Sequence, residues 1–307
     1  MSRKARFWAL AVTGLLLVTA CSGADRPSAY AGGRLRTGLT DAERTLLGQA
    51  EQRLITECMR DQGFHYQLDP DPRAGELDAP ERRFGLDDVA WARRHGYGLA
   101  EAAASGDREG KAAAAKGPEA RYIAALPAPR RADFDRALNG TDRAAIVVPA
   151  PGRGEIFTSA DGCQADARRQ LYGDLRKWTE AKAAVLNLEY TTYADVVAEP
   201  RYAKALADWQ ACMKSRGHDY PSSSAAIGTV AKENRSDTAV EARRREVTVA
   251  VADAECNRAA GLARTGAGLQ RKHVREAARH EFARQTRYYT QAVATALGRA
   301  RSVVGSG

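Results

Sequence analysis

Glu57-Cys58-Met59-Arg60-Asp61-Gln62-Gly63-Phe64-His65-Tyr66 returns, without a gap, as Ala211-Cys212-Met213-Lys214-Ser215-Arg216-Gly217-His218-Asp219-Tyr220. Cys, Met, a basic residue, Gly and Tyr coincide in the two copies. Each copy closes a helical pattern. Leu47, Ala50, Leu54 and Cys58 lead into the first, and Tyr202, Leu206, Trp209 and Met213 run into the second, at the spacing that lines one helix face. The glycine then ends the helix, because a positive φ costs it least. A weaker pair is Ala160-Asp161-Gly162-Cys163 beside Ala252-Asp253-Ala254-Glu255-Cys256, the first being one residue shorter. The expected fold is mainly α: two pseudo-repeated helical halves, pinned by disulfides, with loops and at most one short β-hairpin.

Outward from these motifs the signals stay helical. Thr40-Asp41-Ala42-Glu43 has the form of a capping box, in which hydroxyl and carboxylate reciprocally satisfy early N–H groups. It opens a helix expected over 41–62. Residues 67–83, with Asp-Pro-Asp-Pro, read as a loop. Asp87-Asp88 opens a short helix stopped by Gly96, and Ala100 to Ala120 is a low-complexity excursion broken by glycines. A helix after Pro129 carries Phe134 and Leu138. Ile146-Val147-Val148 and Ile156-Phe157-Thr158 flank a Pro/Gly turn, the one expected hairpin. Helices follow over about 174–190, to Gly217, and over 239–260. After a break at 261–268 the longest helix is expected over 268–301. The halves are placed at 39–198 and 199–304, behind a flexible tether over 21–38.

The first 20 residues are a separate element. Arg3, Lys4 and Arg6 precede an apolar run from Phe7 to Val18, too short for a bilayer span, and Thr19 and Ala20 lead into Cys21. Leu17-Val18-Thr19-Ala20-Cys21 resembles a bacterial lipobox. The resemblance implies cleavage after Ala20, acyl groups on Cys21, and a lipid-anchored protein on the extracytoplasmic face of the cell membrane. With Cys21 so used, Cys58, Cys163, Cys212 and Cys256 remain, an even number suited to an oxidising compartment. Four cysteines allow three connectivities. The symmetry of the repeat favours Cys58–Cys163 and Cys212–Cys256. These close about 105 and about 44 residues, worth roughly 4–5 kcal/mol each on chain-entropy grounds.

The chain carries a formal net charge of +9, part of it in the leader. A modest basic surplus suits phospholipid head groups, wall polymers or acidic partners. Outside the membrane it does not point to nucleic acid. The clearest basic stretch holds Arg264, Arg271, Lys272, Arg275, Arg279, Arg284 and Arg287. Of these, Arg271, Lys272, Arg275 and Arg279 are the candidate contacts to an anionic surface.

Chemistry-bearing motifs are scarce. No G-x-S-x-G, S-x-x-K, Walker loop, G-x-G-x-x-G or C-x-x-C occurs. His273, Glu276 and His280 share a helical face, but the arginines among them would repel a cation, so neither a metal nor another cofactor is expected. The cysteine-bearing helix ends, the Ala-Asp-x-x-Cys stretches and the lipobox together resemble a group of actinobacterial exported lipoproteins of unassigned function. That resemblance implies an all-helical envelope protein and supplies no catalytic residue. The expected function is a non-enzymatic binding protein of the envelope, with a partner protein or wall component. The alternatives are a substrate-binding or accessory component of a transporter, and a cell-wall hydrolase.

Overall fold

The computed structural model describes residues 39–66, 83–102, 117–141, 145–235 and 238–305. The leader, Cys21, the tether and most of the Ala100–Ala120 excursion lie outside them. Among the described residues are twelve helices and one two-stranded sheet. In order these are α1 (Asp41–Asp61), α2 (Val89–His95), α3 (Pro118–Ala125), α4 (Ala128–Asn139), β1 (Ala145–Ala150), β2 (Gly154–Ser159), α5 (Cys163–Tyr172), α6 (Leu175–Thr191), α7 (Tyr193–Ala198), α8 (Pro200–Ser215), α9 (Ser223–Glu233), α10 (Ala239–Ala260), α11 (Leu262–Arg279) and α12 (Ala283–Gly305). The fold is mainly α, as the helical periodicity predicts. None of the helices is long and apolar enough to cross a membrane.

Local chemistry sets the ends. Thr40 and Glu43 form the capping box: Glu43 N donates to Thr40 Oγ1 at 3.2 Å, and Thr40 N donates to Glu43 Oε2 at 2.8 Å. Thr238 and Glu241 repeat it at the start of α10. The two copies of the Cys-Met-x-x-x-Gly motif close α1 and α8 in the same way. Phe64 N donates to Met59 O and Gly63 N to Arg60 O; His218 N donates to Met213 O and Gly217 N to Lys214 O. These are Schellman closures, and they need Gly63 and Gly217 at φ 75° and 81°. The repeat is therefore a repeated helix stop. Each stop buries its methionine completely and sets its cysteine beside a neighbouring helix.

The cysteines pair as Cys58–Cys163 and Cys212–Cys256, with Cα–Cα distances of 5.6 Å in both. Each bridge pins one core. The first core gathers α1, the α4 face, β1, α5, most of α6 and the inner face of α12, with Trp178 stacked between Tyr172 and Tyr289. The second gathers Phe84 to Tyr97, α8, α9, α10 and the first turns of α11 around Trp209. The cores exchange one element each: residues 84–97 join the later helices, and α12 returns to close the first core. Ala184, Leu188, Val274 and Phe282 form the apolar seam between them. The hairpin is antiparallel, with Val148 opposite Ile156, and lays Ile146 and Val148 inward on α6. Arg176 donates to Val147 O at 3.0 Å on that side.

Two expectations are corrected. No loop separates α10 from α11; Gly261 alone, at φ 66°, turns the chain between them. Gly266 lies inside α11, and it is glycine where the Phe84 ring occupies the space a side chain would need. Nor does one helix run over 268–301. It breaks at His280 (φ −114°, ψ −82°) and restarts at Ala283. A straight helix would turn Phe282 to within about 20° of Arg275, on the solvent side, at roughly 100° per residue. The break instead buries Phe282 in the seam, with Phe282 N donating to Ala277 O at 2.8 Å.

Candidate anionic-surface face

α11 is sharply two-sided. Leu262, Ala263, Gly266, Ala267, Leu269, Gln270 and Val274 are buried. At roughly 100° per residue, Arg264, Arg271, Arg275 and Arg279 fall within one sector of about 80° on the opposite side, with Lys272 at its edge. Arg264, Arg275 and Arg279 are exposed and Arg271 is half-buried. Among the described residues none of these four guanidiniums has a carboxylate within ion-pair distance. Elsewhere many arginines are answered by an acid or a carbonyl. Arg53 meets Glu57, Arg168 meets Glu51, Arg93 meets Glu255, and Arg299 caps the end of α5 through Gln170 O and Leu171 O.

Lys272 behaves differently from the arginines. Its Nζ donates to Glu199 Oε1 at 3.0 Å, and His273 Nε2 lies 2.9 Å from the same oxygen. These bonds hold the Glu199 carboxyl below its ordinary range and the Lys272 ammonium above its own. Glu199 precedes Pro200 at the start of α8, so the cluster ties α11 to α8. Of the four candidate contacts read from the sequence, three form the open stripe and Lys272 is an internal tie beside it. Arg264 extends the stripe; Arg284 and Arg287 are exposed on α12, beyond the break. His273 and His280 do not converge. His273 faces Glu199, while His280 is exposed at the break. Among the described residues no three metal-ligating side chains gather.

Sequence reasoning missed a row of buried polar side chains on α10. Glu246, Asp253 and Asn257, spaced by seven and four, have no exposed surface. Glu246 accepts from Leu99 N at 2.7 Å and Ala100 N at 3.0 Å. Asp253 accepts from Tyr97 Oη at 3.0 Å, Trp209 Nε1 at 2.9 Å and Ser223 Oγ at 2.5 Å. Asn257 donates to Phe84 O at 2.9 Å and accepts from Ala263 N at 2.8 Å. The row clamps segment 84–100 onto α10. The partners come from up to 173 residues away, so no local pattern announces them.

Two shallow clefts flank the Cys58–Cys163 bridge. One, of about 550 Å³, is lined by Glu57, Asp61, Gln62, Asp166, Arg169 and Gln170; the other, of about 480 Å³, by Phe64, Arg130, Asp133 and Arg136 among others. Their charges are largely paired within the walls: Arg169 bonds Asp166 and Ala160 O, and Arg136 bonds Asp133. Arg130 lies over the Phe64 ring and donates to Gly63 O at 3.1 Å. Comparison of the chain with protein-family models, with curated proteins and with solved structures finds no match.

Proposed function

We propose that this chain is a lipoprotein of the extracytoplasmic face of the cell membrane, cut before Cys21, held by acyl groups on that cysteine, and working as a binding protein. The observation that carries this reading is the disposition of the cysteines. Four of the five are paired across the fold. The fifth stands where a basic, apolar and small-residue leader ends. Two bridges in one domain fit an oxidising compartment, and the leader is the route to one.

A binding role is favoured over catalysis by what the ionisable groups already do. Asp253, Glu246 and Glu199 are each engaged by two or three donors that hold the fold together. The partner is an envelope protein or wall component, and the bilayer through Cys21.

The test is acylation and fractionation in a bacterial host that processes lipoproteins. The wild-type chain should take up a labelled fatty acid and leave the membrane only with detergent. Cys21→Ala should take up none. A wild-type chain without label, recovered in the cytosol, overturns the reading.

A further inference from the structure

We propose that the open face of α11 lies against the anionic lipid surface to which the chain is tethered, giving the protein a second, electrostatic point of attachment with a fixed orientation. This rests on the lipoprotein reading. The face has four guanidiniums in one sector, and among the described residues none is paired with an acid. From Arg264 to Arg279 they extend along roughly 22 Å of helix, at 1.5 Å per residue. They line neither of the two clefts, and a row of guanidiniums along one open helix face suits a flat array of phosphates better than one polymer strand needing a groove. A guanidinium presents a planar fork that matches phosphate oxygens, so arginines in these places fit the ligand better than lysines would.

The surrounding charges leave the face net positive. Arg201 lies near Lys272 and adds to it. Acids that approach include Asp87 near Arg264, Glu199 under Lys272 and His273, and Glu276 beside His273, and exposed Glu281 follows Arg279 by two residues. Glu199 is already neutralised by Lys272 at its own site.

The tether decides nothing about orientation. Residues 21–38 can span at most ~60 Å, enough for any face to reach the bilayer. An anchor holds the whole chain near the head groups at high effective concentration, so weak attraction suffices to select a face. Each basic group near an anionic surface strengthens attachment about fivefold, and four acting additively by nearly three orders of magnitude.

The experiment is a footprint of the full chain purified from cells that process it. It is mixed with vesicles of phosphatidylcholine alone or of phosphatidylcholine with phosphatidylglycerol. A guanidine-selective dicarbonyl labels arginines, and peptide masses read the sites. Labelling at Arg264, Arg271, Arg275 and Arg279 should fall about tenfold on anionic vesicles only, and return as salt shortens the screening length. Arg121 and Arg235, exposed and off this face, should not change.

Equal labelling on both vesicles overturns the proposal. So does protection by soluble polyphosphate without protection by anionic vesicles, which would assign the face to a wall polymer. Flotation with the neutral vesicles reads the anchor separately. Its failure counts against the lipid anchor, while the footprint on anionic vesicles still supports or overturns the face.

Discussion

Asp253 is a carboxylate with no exposed surface and three donors converging on it from three other segments. A buried acceptor so engaged is weak evidence of net stabilisation, but removing it strands every donor. Asp253→Ala should lower unfolding free energy by about 3–5 kcal/mol. A shift of the denaturant midpoint, followed by tryptophan fluorescence, checks this; an unchanged midpoint would mean the Tyr97, Trp209 and Ser223 donors find other partners. Glycines make the complementary case. Gly266→Ala would drive a methyl into the Phe84 ring and should cost about 1–3 kcal/mol. Gly48→Ala, at an exposed position of α1 with open space around it, should stabilise by about 0.5–1 kcal/mol. Thermal melts of the two variants should move in opposite directions.

The paired carboxylates also set an acid limit. Glu43, Asp161, Asp174, Glu199, Glu241 and Glu255 are all held below their ordinary range. The leading causes are a backbone N–H for Glu43 and Asp174, a hydroxyl for Asp161 and Glu241, Lys272 for Glu199 and Arg216 for Glu255. Each then binds its proton less readily folded than unfolded. Their contribution is complete above the unfolded carboxylate values, near pH 4, and is lost as pH falls through the lowered folded values. The melting temperature should hold level from neutrality to about pH 5 and drop below about pH 4. A melting temperature that rises on acidification would refute this.

At the scale of elements, what could be read from sequence was what is local. α1 and α10 begin where Thr40-Glu43 and Thr238-Glu241 form capping boxes, and the stops at Gly63, Gly96 and Gly217 follow from backbone freedom at glycine. The hairpin was legible because two runs of β-branched and aromatic residues flank a Pro/Gly turn. The break at His280 was not, because nothing local causes it; it exists to bury Phe282 against Ala184 and Leu188 in another helix. The basic stripe was half legible. Spacing revealed Arg271, Arg275 and Arg279, but only the fold brings Glu199 to Lys272. The disulfides act at this scale too. They close sequence separations of 105 and 44 residues. Cys58→Ala/Cys163→Ala should therefore lose about 5 kcal/mol and Cys212→Ala/Cys256→Ala about 4 kcal/mol. Equilibrium denaturation of the two double variants gives the order; a smaller loss for the first would contradict the loop-entropy account.

Across the whole molecule, the two cores share a seam and exchange segments, so neither is a self-contained half of the chain. The cores are rich in alanine and each is crossed by one bridge. Such a fold depends on the compartment that makes the bridges. Under the proposed function, export, anchoring and stability are therefore tested together. The most direct measurement is the intact mass of the protein taken from the membrane, after alkylation without reduction. The account predicts a chain that begins at an acylated Cys21 and takes up no alkyl group. A chain that retains residues 1–20, or one that alkylates at Cys58, Cys163, Cys212 and Cys256, would contradict it.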